Sequence, residues 1–173
     1  VVTQVEAIQD DEARLRLRFL FLLAYSTGLR RFEMEKAVTN YIRDYVDGTV
    51  LMVIGKGEDD REVPLYPEVA AAFYEYMVAR GLGRGPWNSG TPLLASLSRK
   101  SQNQKLSEPG SPLSNQQIYR LCKALFEKTA AAAEEPADAR RLSRASTHWL
   151  RHTCGTHMAS AGVKVAVIQG LFG

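Results

Sequence analysis

Three stretches of the sequence place basic and proton-transferring side chains where an anion can be bound. In THWLRHTCGTH, residues 147–157, His148, Arg151 and His152 are spaced i, i+3 and i+4, so they share one face if the segment is a helix. A proton-transferring group beside a permanently charged guanidinium suits an anionic substrate. The spacing alone is equally consistent with a solvated polar face of a helix.

The same stretch contains residue types that bind zinc, namely His148, His152, Cys154 and His157. On an ideal helix, at about 100 degrees per residue, His157 points almost directly away from His148. We therefore predict no metal site. Residues 55–57, Gly-Lys-Gly, also lack the spacing and the strand-to-helix context of a nucleotide-binding P-loop, and we predict no cofactor.

Two further basic residues stand beside glycines. Arg30 follows Gly28 near the start of a predicted helix, where backbone N–H groups and the helix dipole favour an anion. Lys56 lies between two glycines in a tight turn, which lets the backbone approach another molecule and the ammonium reach a phosphate. Simpler interpretations are an ion pair of Arg30 with Glu33 or Glu35, and a solvated lysine at a hairpin tip.

Composition restricts the class of protein. The chain has 173 residues, 45% hydrophobic and 24% charged, which is typical of one soluble globular domain. Its longest apolar run, residues 19–25, is far shorter than the about 18 residues of a membrane span, and no signal peptide is visible. We expect a cytoplasmic protein with no membrane association and with Cys122 and Cys154 reduced. A net charge of +3 permits a polyanionic partner without requiring one.

The sequence pattern predicts a mainly α fold with a small antiparallel β-hairpin, an α+β arrangement. The predicted helices are 10–24, 32–38, 67–79, 114 to about 133, 148–161 and 164–171, the predicted strands are 49–54 and 62–65, and the predicted loops are 81–113 and 134–146. Ser114 with Gln117 forms a capping box at one helix start. Leu15, Leu17 and Phe19 also alternate as in a strand, but the length of that segment favours a helix.

Taken together and in order, these stretches resemble a known family. TGLR with Glu33, then VIGKG and REVPL, then HWLRHT, then VIQGLFG are similar in order and spacing to the catalytic domain of tyrosine recombinases, the phage-integrase-like family. The resemblance covers almost the whole chain, and the ordered combination is far more specific than any single piece. Type IB topoisomerases use a similar set and are a related alternative.

The resemblance implies a role for each candidate residue. In the family, an Arg, a Lys of the β-hairpin and a His-x-x-Arg surround one DNA phosphate while a tyrosine attacks it. By this resemblance Arg30 and Arg151 clamp the phosphate, Lys56 protonates the departing 5′ oxygen, and His148 assists by proton transfer or hydrogen bonding. In supporting positions, Glu33 orients the site and His152 is structural.

The resemblance also implies the reaction and the partners. It implies breaking and rejoining of double-stranded DNA through a 3′-phosphotyrosyl intermediate, with neither metal nor nucleotide, and self-association into a tetrameric synapse on DNA. It further implies a DNA-associated bacterial protein or one encoded by a phage, plasmid or other mobile element. The basic residues expected to reach DNA phosphates as a group, besides those of the site, are Arg99, Lys100, Arg140, Arg141 and Arg144.

The chain also departs from the family pattern. That pattern continues after Phe172-Gly173 with a second His and then the nucleophilic Tyr. The tyrosines of this sequence, none at the nucleophile's place, are Tyr25, Tyr41, Tyr45, Tyr66, Tyr74, Tyr76 and Tyr119. We expect residues 1–173 to be a single, C-terminally incomplete catalytic domain, with 81–113 as a long insertion, that binds DNA but cannot cleave it. The alternative is a DNA-binding module without chemistry.

Overall fold

The computed structural model describes residues 1–55, 60–88, 90–97 and 110–173. Within these ranges the chain forms eight α-helices and one three-stranded antiparallel sheet. The predicted fold class, mainly α with a small antiparallel sheet, is confirmed. None of the helices in the described ranges combines the length and apolar character needed to cross a membrane.

Among the described residues, three α-helices precede the sheet, and five follow it. In chain order they are α1 (Val2–Glu6), α2 (Asp11–Thr27), α3 (Arg31–Lys36), β1 (Ile42–Tyr45), β2 (Gly48–Val53), β3 (Arg61–Leu65), α4 (Pro67–Ala79), α5 (Asn115–Ala131), α6 (Pro136–Arg144), α7 (Thr147–Ser160) and α8 (Val165–Phe172). A short 3₁₀ helix, Thr39–Tyr41, joins α3 to β1.

Helix α2 is the central element of the core. The Asp10 side chain accepts a hydrogen bond from the Ala13 N–H at 2.7 Å and so caps its start. Phe19 and Leu20 are fully buried, and the Phe19 ring lies 5.5 Å from the ring of Phe73 on α4. Residues 15–19 are helical and not a strand. Burial of this face fixes the orientation of α2 and therefore the position of its last residue, Thr27.

The sheet has the order β1–β2–β3, with Leu51 of β2 opposite Ile42 of β1 and Val63 of β3. Leu51 and Val63 are buried in the main core. The two predicted strands are present, but β1 was not predicted. Its four residues are exposed apart from the half-buried Ile42, so they carry too little apolar alternation to indicate a strand.

The predicted loop over 134–146 is wrong, because α6 occupies most of it. Pro136 stands in the first turn, where its missing N–H is harmless. Arg141 and Arg144 lie in the last turn, where their positive charges interact favourably with the negative end of the helix dipole. No residue of α6 is fully buried, although Leu142 packs against the core. The helix therefore lacks the broad apolar stripe by which a sequence reveals an amphipathic helix.

The segment between α4 and α5 fixes the end of α3. The helix predicted to reach residue 38 ends at Lys36, because the Ala37 carbonyl accepts a hydrogen bond from the Leu93 N–H at 2.8 Å and Val38 bridges to Pro92. Leu93 is completely buried. The described parts of 81–113 contain no helix or longer strand, yet they are anchored in the core.

A carboxylate ties the sheet to α4. Asp44 of β1 accepts hydrogen bonds from the Thr49 hydroxyl at 2.6 Å and from the Tyr74 hydroxyl at 2.5 Å. These two bonds hold the pKa of the Asp44 carboxyl below its ordinary value, and the bond from Thr49 has the larger effect. Because the pKa is lowered, the stabilisation is present above the ordinary aspartate pKa of about 4 and is lost as the pH falls below it.

We therefore expect Asp44→Asn to lower the free energy of unfolding by about 1 kcal/mol at pH 7 and to have little effect near pH 2. Urea unfolding followed by circular dichroism at the two pH values measures this. Asp47→Asn, an exposed aspartate in the adjacent turn, is the matched control and should leave stability unchanged. An equal loss for Asp44→Asn at both pH values would contradict the assignment.

Candidate active site

The junction between α2 and α3 directs the Arg30 side chain into the site. Helix α2 ends at Gly28, whose φ of 62° lies in the left-handed region, and Arg30 is extended with φ −73° and ψ 151°. Leu29 is buried and anchors the turn. The Glu33 carboxylate, at the third position of α3, accepts the Arg30 backbone N–H at 2.7 Å and caps the helix start.

Glu33 is also the acceptor for two guanidinium groups. Its Oε1 receives a hydrogen bond from Nη2 of Arg61 at 3.0 Å and lies 3.5 Å from Nη1 of Arg30. The Glu33 side chain is only 1% exposed, against 12% for Arg61 and 41% for Arg30. A buried carboxylate therefore bridges the first residue of β3 and the residue before α3.

Arg151 of α7 reaches the same place from the other side. Its Nη1 donates to the Gly28 carbonyl at 2.5 Å, and its Nη2 donates to the Phe172 carbonyl at 3.1 Å. Arg30 Nη1 donates to that same Phe172 carbonyl, also at 3.1 Å. The two arginines predicted as a clamp thus converge on one oxygen atom.

The cluster carries more positive than negative charge. Burial is the main cause of a lowered pKa of the Arg151 guanidinium, and the nearby charges of Arg30 and Arg61 lower it further, while Glu33 opposes them. Arginine remains protonated at ordinary pH, so the fold holds the charges of Arg30, Arg61 and Arg151 close to the single carboxylate of Glu33. Such a site favours an anion.

A cavity of about 220 Å³ opens beside the clamp. Its lining residues are Leu29, Arg30, Arg31, Phe32, Asn115, Thr147, His148 and Arg151. Asn115 and Thr147 are the first residues of α5 and α7, where N–H groups lack helical partners and favour an anion. Arg30 is therefore brought together with His148 and Arg151, which lie more than 110 positions later in the sequence, around one polar cavity.

The other predicted residues are placed differently. His152 lines an adjoining groove between α7 and α8, and its Nδ1 lies 3.5 Å from the Thr156 hydroxyl. His157 hydrogen-bonds to the Tyr25 hydroxyl at 2.7 Å. In the described ranges no group of three or more His, Cys, Asp or Glu side chains could hold a metal ion. Lys56 lies outside the described residues, as do Arg99 and Lys100.

Sequence reasoning missed Arg61. Its only signal was its place at the start of REVPL, directly after the glycine-rich turn, and nothing local linked it to Glu33. Arg31 also lines the cavity, and its guanidinium lies 5.1 Å from the centre of the Tyr119 ring.

Two glycines make room for the ring of Phe172. A Cβ atom on Gly28 would lie 2.6 Å from Cε1 of that ring, and one on Gly155 would lie 3.2 Å from Cε2. The Arg151 guanidinium stacks on the same ring at 4.4 Å from its centre. The glycine of TGLR is therefore required both by its left-handed backbone and by the packing that supports Arg151.

Solved structures share this arrangement of helices and sheet. The XerH site-specific recombinase bound to difH substrate superposes with a TM-score of 0.70 at 20% identity, covering 99% of this chain and 43% of that one. The Tn1549 transposon integrase in complex with circular intermediate DNA superposes with a TM-score of 0.66 at 21% identity, covering 98% and 53%. The fold is that of the catalytic domain of tyrosine recombinases.

The sequence agrees with that class. The chain belongs to the phage integrase family, whose pattern it matches over residues 1–173. It is 30% identical over 166 residues to the tyrosine recombinase XerC of Pelobacter propionicus, covering 95% of this chain and 46% of the relative. It is 32% identical over 161 residues to the tyrosine recombinase XerD of Corynebacterium glutamicum, covering 92% and 44%. The chain thus spans less than half the length of these relatives.

Gly28→Ala should destabilise the protein beyond ordinary backbone strain. The new methyl group both enters a left-handed position and displaces the Phe172 ring, so we expect a loss of about 2–4 kcal/mol in urea unfolding. Gly162→Ala is the matched control, because Gly162 has a φ of 81° but no atom within 4 Å of an added Cβ. In a Phe172→Ala background the cost of Gly28→Ala should fall to that of the control. Equal costs of the two glycine variants in the native background would refute the packing argument.

Proposed function

We propose that the native protein containing these 173 residues breaks and rejoins double-stranded DNA, as in site-specific recombination or integration. The reaction is a transesterification at a phosphodiester through a 3′-phosphotyrosyl intermediate. The observation that supports this most directly is the convergence of Arg30 and Arg151 on one oxygen, each at 3.1 Å, beside a cavity that His148 also lines. Membership of the phage integrase family supports the same conclusion.

The clamp accounts for the largest part of the chemistry. We propose that a non-bridging phosphate oxygen is held at the place that the Phe172 carbonyl oxygen occupies between Arg30 and Arg151. As the phosphorus becomes pentacoordinate, negative charge grows on those oxygens, and two fixed guanidinium groups stabilise it without reorganising. Removal of one such donor typically costs about 10²–10³-fold in rate.

Proton transfer completes the reaction. A tyrosine hydroxyl releases its proton as its oxygen attacks the phosphorus, the bond to the 5′ oxygen breaks, and that oxygen takes up a proton. We assign this proton to Lys56, and we assign to His148 a proton transfer or a hydrogen bond at the same phosphate. The covalent phosphotyrosyl bond retains the energy of the broken diester, so attack by a 5′ hydroxyl can reseal the strand.

The nucleophile is a tyrosine other than the seven of this sequence. All seven lie in the described ranges, and none of them lines the cavity with Arg30 and Arg151. The same observation favours a second candidate, a DNA-binding module without chemistry. Presence of both clamp arginines and His148 around one cavity favours the enzyme, because binding of a DNA backbone alone does not need a fork of two arginines at a single oxygen.

The partner in this proposal is duplex DNA. The Tn1549 integrase described above is in complex with DNA, and the XerH recombinase is bound to its difH substrate. Arg140, Arg141 and Arg144 are exposed on α6, which packs against α5. We propose that these three contact the DNA backbone as a group, and that the native protein assembles as a tetrameric synapse in the cytoplasm.

Lysine substitutions separate the clamp from general DNA binding. In the native protein, Arg30→Lys or Arg151→Lys should slow cleavage by about 10²-fold or more while changing the dissociation constant for DNA little, because lysine keeps the charge but not the planar two-pronged donor. Adduct formation on a nicked suicide substrate, read on a denaturing gel, measures cleavage, and a filter-binding titration measures affinity.

Arg18→Lys is the matched control, since Arg18 of α2 pairs with the exposed Glu75 of α4 and does not line the cavity beside the clamp. It should cleave at the native rate. Native rates in both clamp variants would remove these residues from the site. A native protein that binds DNA but forms no adduct on its cognate site would establish the binding module instead.

The role of Lys56 has its own test. Lys56→Ala should cleave a normal phosphodiester slowly, but it should cleave a substrate with a bridging sulfur at the 5′ position at close to the native rate, because a thiolate leaves without a proton. Arg151→Lys should show no such rescue, since the clamp acts on the non-bridging oxygens. Failure of the sulfur substrate to rescue Lys56→Ala would exclude Lys56 as the general acid.

A further inference from the structure

We infer that Arg61, the first residue of β3, is a positioning residue that keeps the Arg30 guanidinium free for the phosphate by holding the buried carboxylate of Glu33. This inference rests on the function proposed above. It assigns a role to a residue outside the clamp, and it explains why one buried carboxylate is shared between two arginines.

The contacts of Arg61 fix it in place. Its Nη2 donates to Glu33 Oε1 at 3.0 Å, and its Nε donates to the Leu171 carbonyl at 2.8 Å. The side chain is only 12% exposed. Arg61 does not line the cavity beside Arg30 and Arg151, so we place it outside the clamp.

Glu33 would otherwise compete for Arg30. Its carboxylate has two arginines within reach, but the bond to Arg61 is the shorter, 3.0 Å against 3.5 Å. The Arg30 guanidinium keeps only the longer contact with Glu33 and makes its shorter bonds to the Phe172 and Gly173 carbonyls, at 3.1 and 2.7 Å. Without Arg61, the buried Glu33 carboxylate would keep only the backbone N–H of Arg30 as a close partner and would attract the Arg30 guanidinium.

This competition has a kinetic consequence that simple loss of structure does not have. In the native protein, Arg61→Ala should slow adduct formation at saturating DNA by about 10²-fold, since misplacement of a catalytic group by about 1 Å has that effect. The affinity for DNA should stay within about threefold, because Arg30 keeps its charge. Arg61→Lys should be intermediate, since lysine supplies one donor to Glu33 in place of the guanidinium fork.

The decisive variant removes the competitor as well. Glu33→Gln in the Arg61→Ala background leaves no charge to capture Arg30, so the double variant should cleave faster than Arg61→Ala alone. If Arg61 were merely structural, the second substitution would slow the protein further or leave it unchanged. Arg43→Ala is the matched control, because Arg43 on β1 pairs only loosely with exposed Glu62, at 3.9 Å, and should cleave at the native rate.

A second measurement does not depend on cleavage. Inorganic phosphate, compared with chloride at equal ionic strength, should raise the melting temperature of the native protein. This rise should shrink by at least half in Arg61→Ala and recover in the double variant. All rates are measured at a temperature at which circular dichroism shows each variant to be folded.

The outcomes separate the two proposals. If the native protein forms no adduct, the proposed function fails, and the phosphate titration still decides the role of Arg61. If the native protein cleaves and Arg61→Ala cleaves equally fast, the positioning role is wrong. A double variant no faster than Arg61→Ala, with no recovery of the phosphate effect, would also overturn it.

Discussion

The ion pair of buried Glu33 with Arg61 is the interaction on which the site depends. Glu33 caps α3 through the Arg30 backbone N–H at 2.7 Å and holds Arg61 at 3.0 Å, so one carboxylate links a helix start to the edge of the sheet. A buried carboxylate is tolerated only when its oxygens are satisfied. The bond to Glu33 in turn fixes the backbone of Arg30, and the Arg30 guanidinium, 3.5 Å from Glu33, makes a shorter bond to the Phe172 carbonyl at 3.1 Å.

The rest of the cluster is built around an excess of positive charge. Arg30 and Arg151 both use the Phe172 carbonyl, and Arg151 also lies on the Phe172 ring. Burial is the main cause of the lowered pKa of Arg151, and the charges of Arg30 and Arg61 lower it further. Three guanidinium groups thus share one carboxylate, and binding of an anion would reduce their mutual repulsion. This excess of positive charge supports the proposal that the cluster binds a phosphate.

The fold serves the site by bringing together the ends of its elements. Arg30 precedes α3, Arg61 begins β3, and Arg151 lies on α7, with the starts of α5 and α7 completing the cavity. The starts of helices present backbone N–H groups without helical partners, so they can surround a small anion more easily than the middle of a helix can. The fully buried packing of α2 on α4 holds this junction rigid.

The sequence by itself indicated the family and determined much of the helical framework. TGLR, HWLRHT and the capping box at Ser114 are local signals, and α4 begins and ends where its proline and its apolar pattern predict. The sequence did not reveal Arg61, because its partner Glu33 is 28 residues away. Nor did it explain Gly28, which must lack a side chain because the ring of Phe172, 144 residues later in the chain, packs against it. Strand β1 and helix α6 were missed since neither buries a full apolar face. Only tertiary packing decides such contacts, because local periodicity records which face is buried and not which distant side chain meets it.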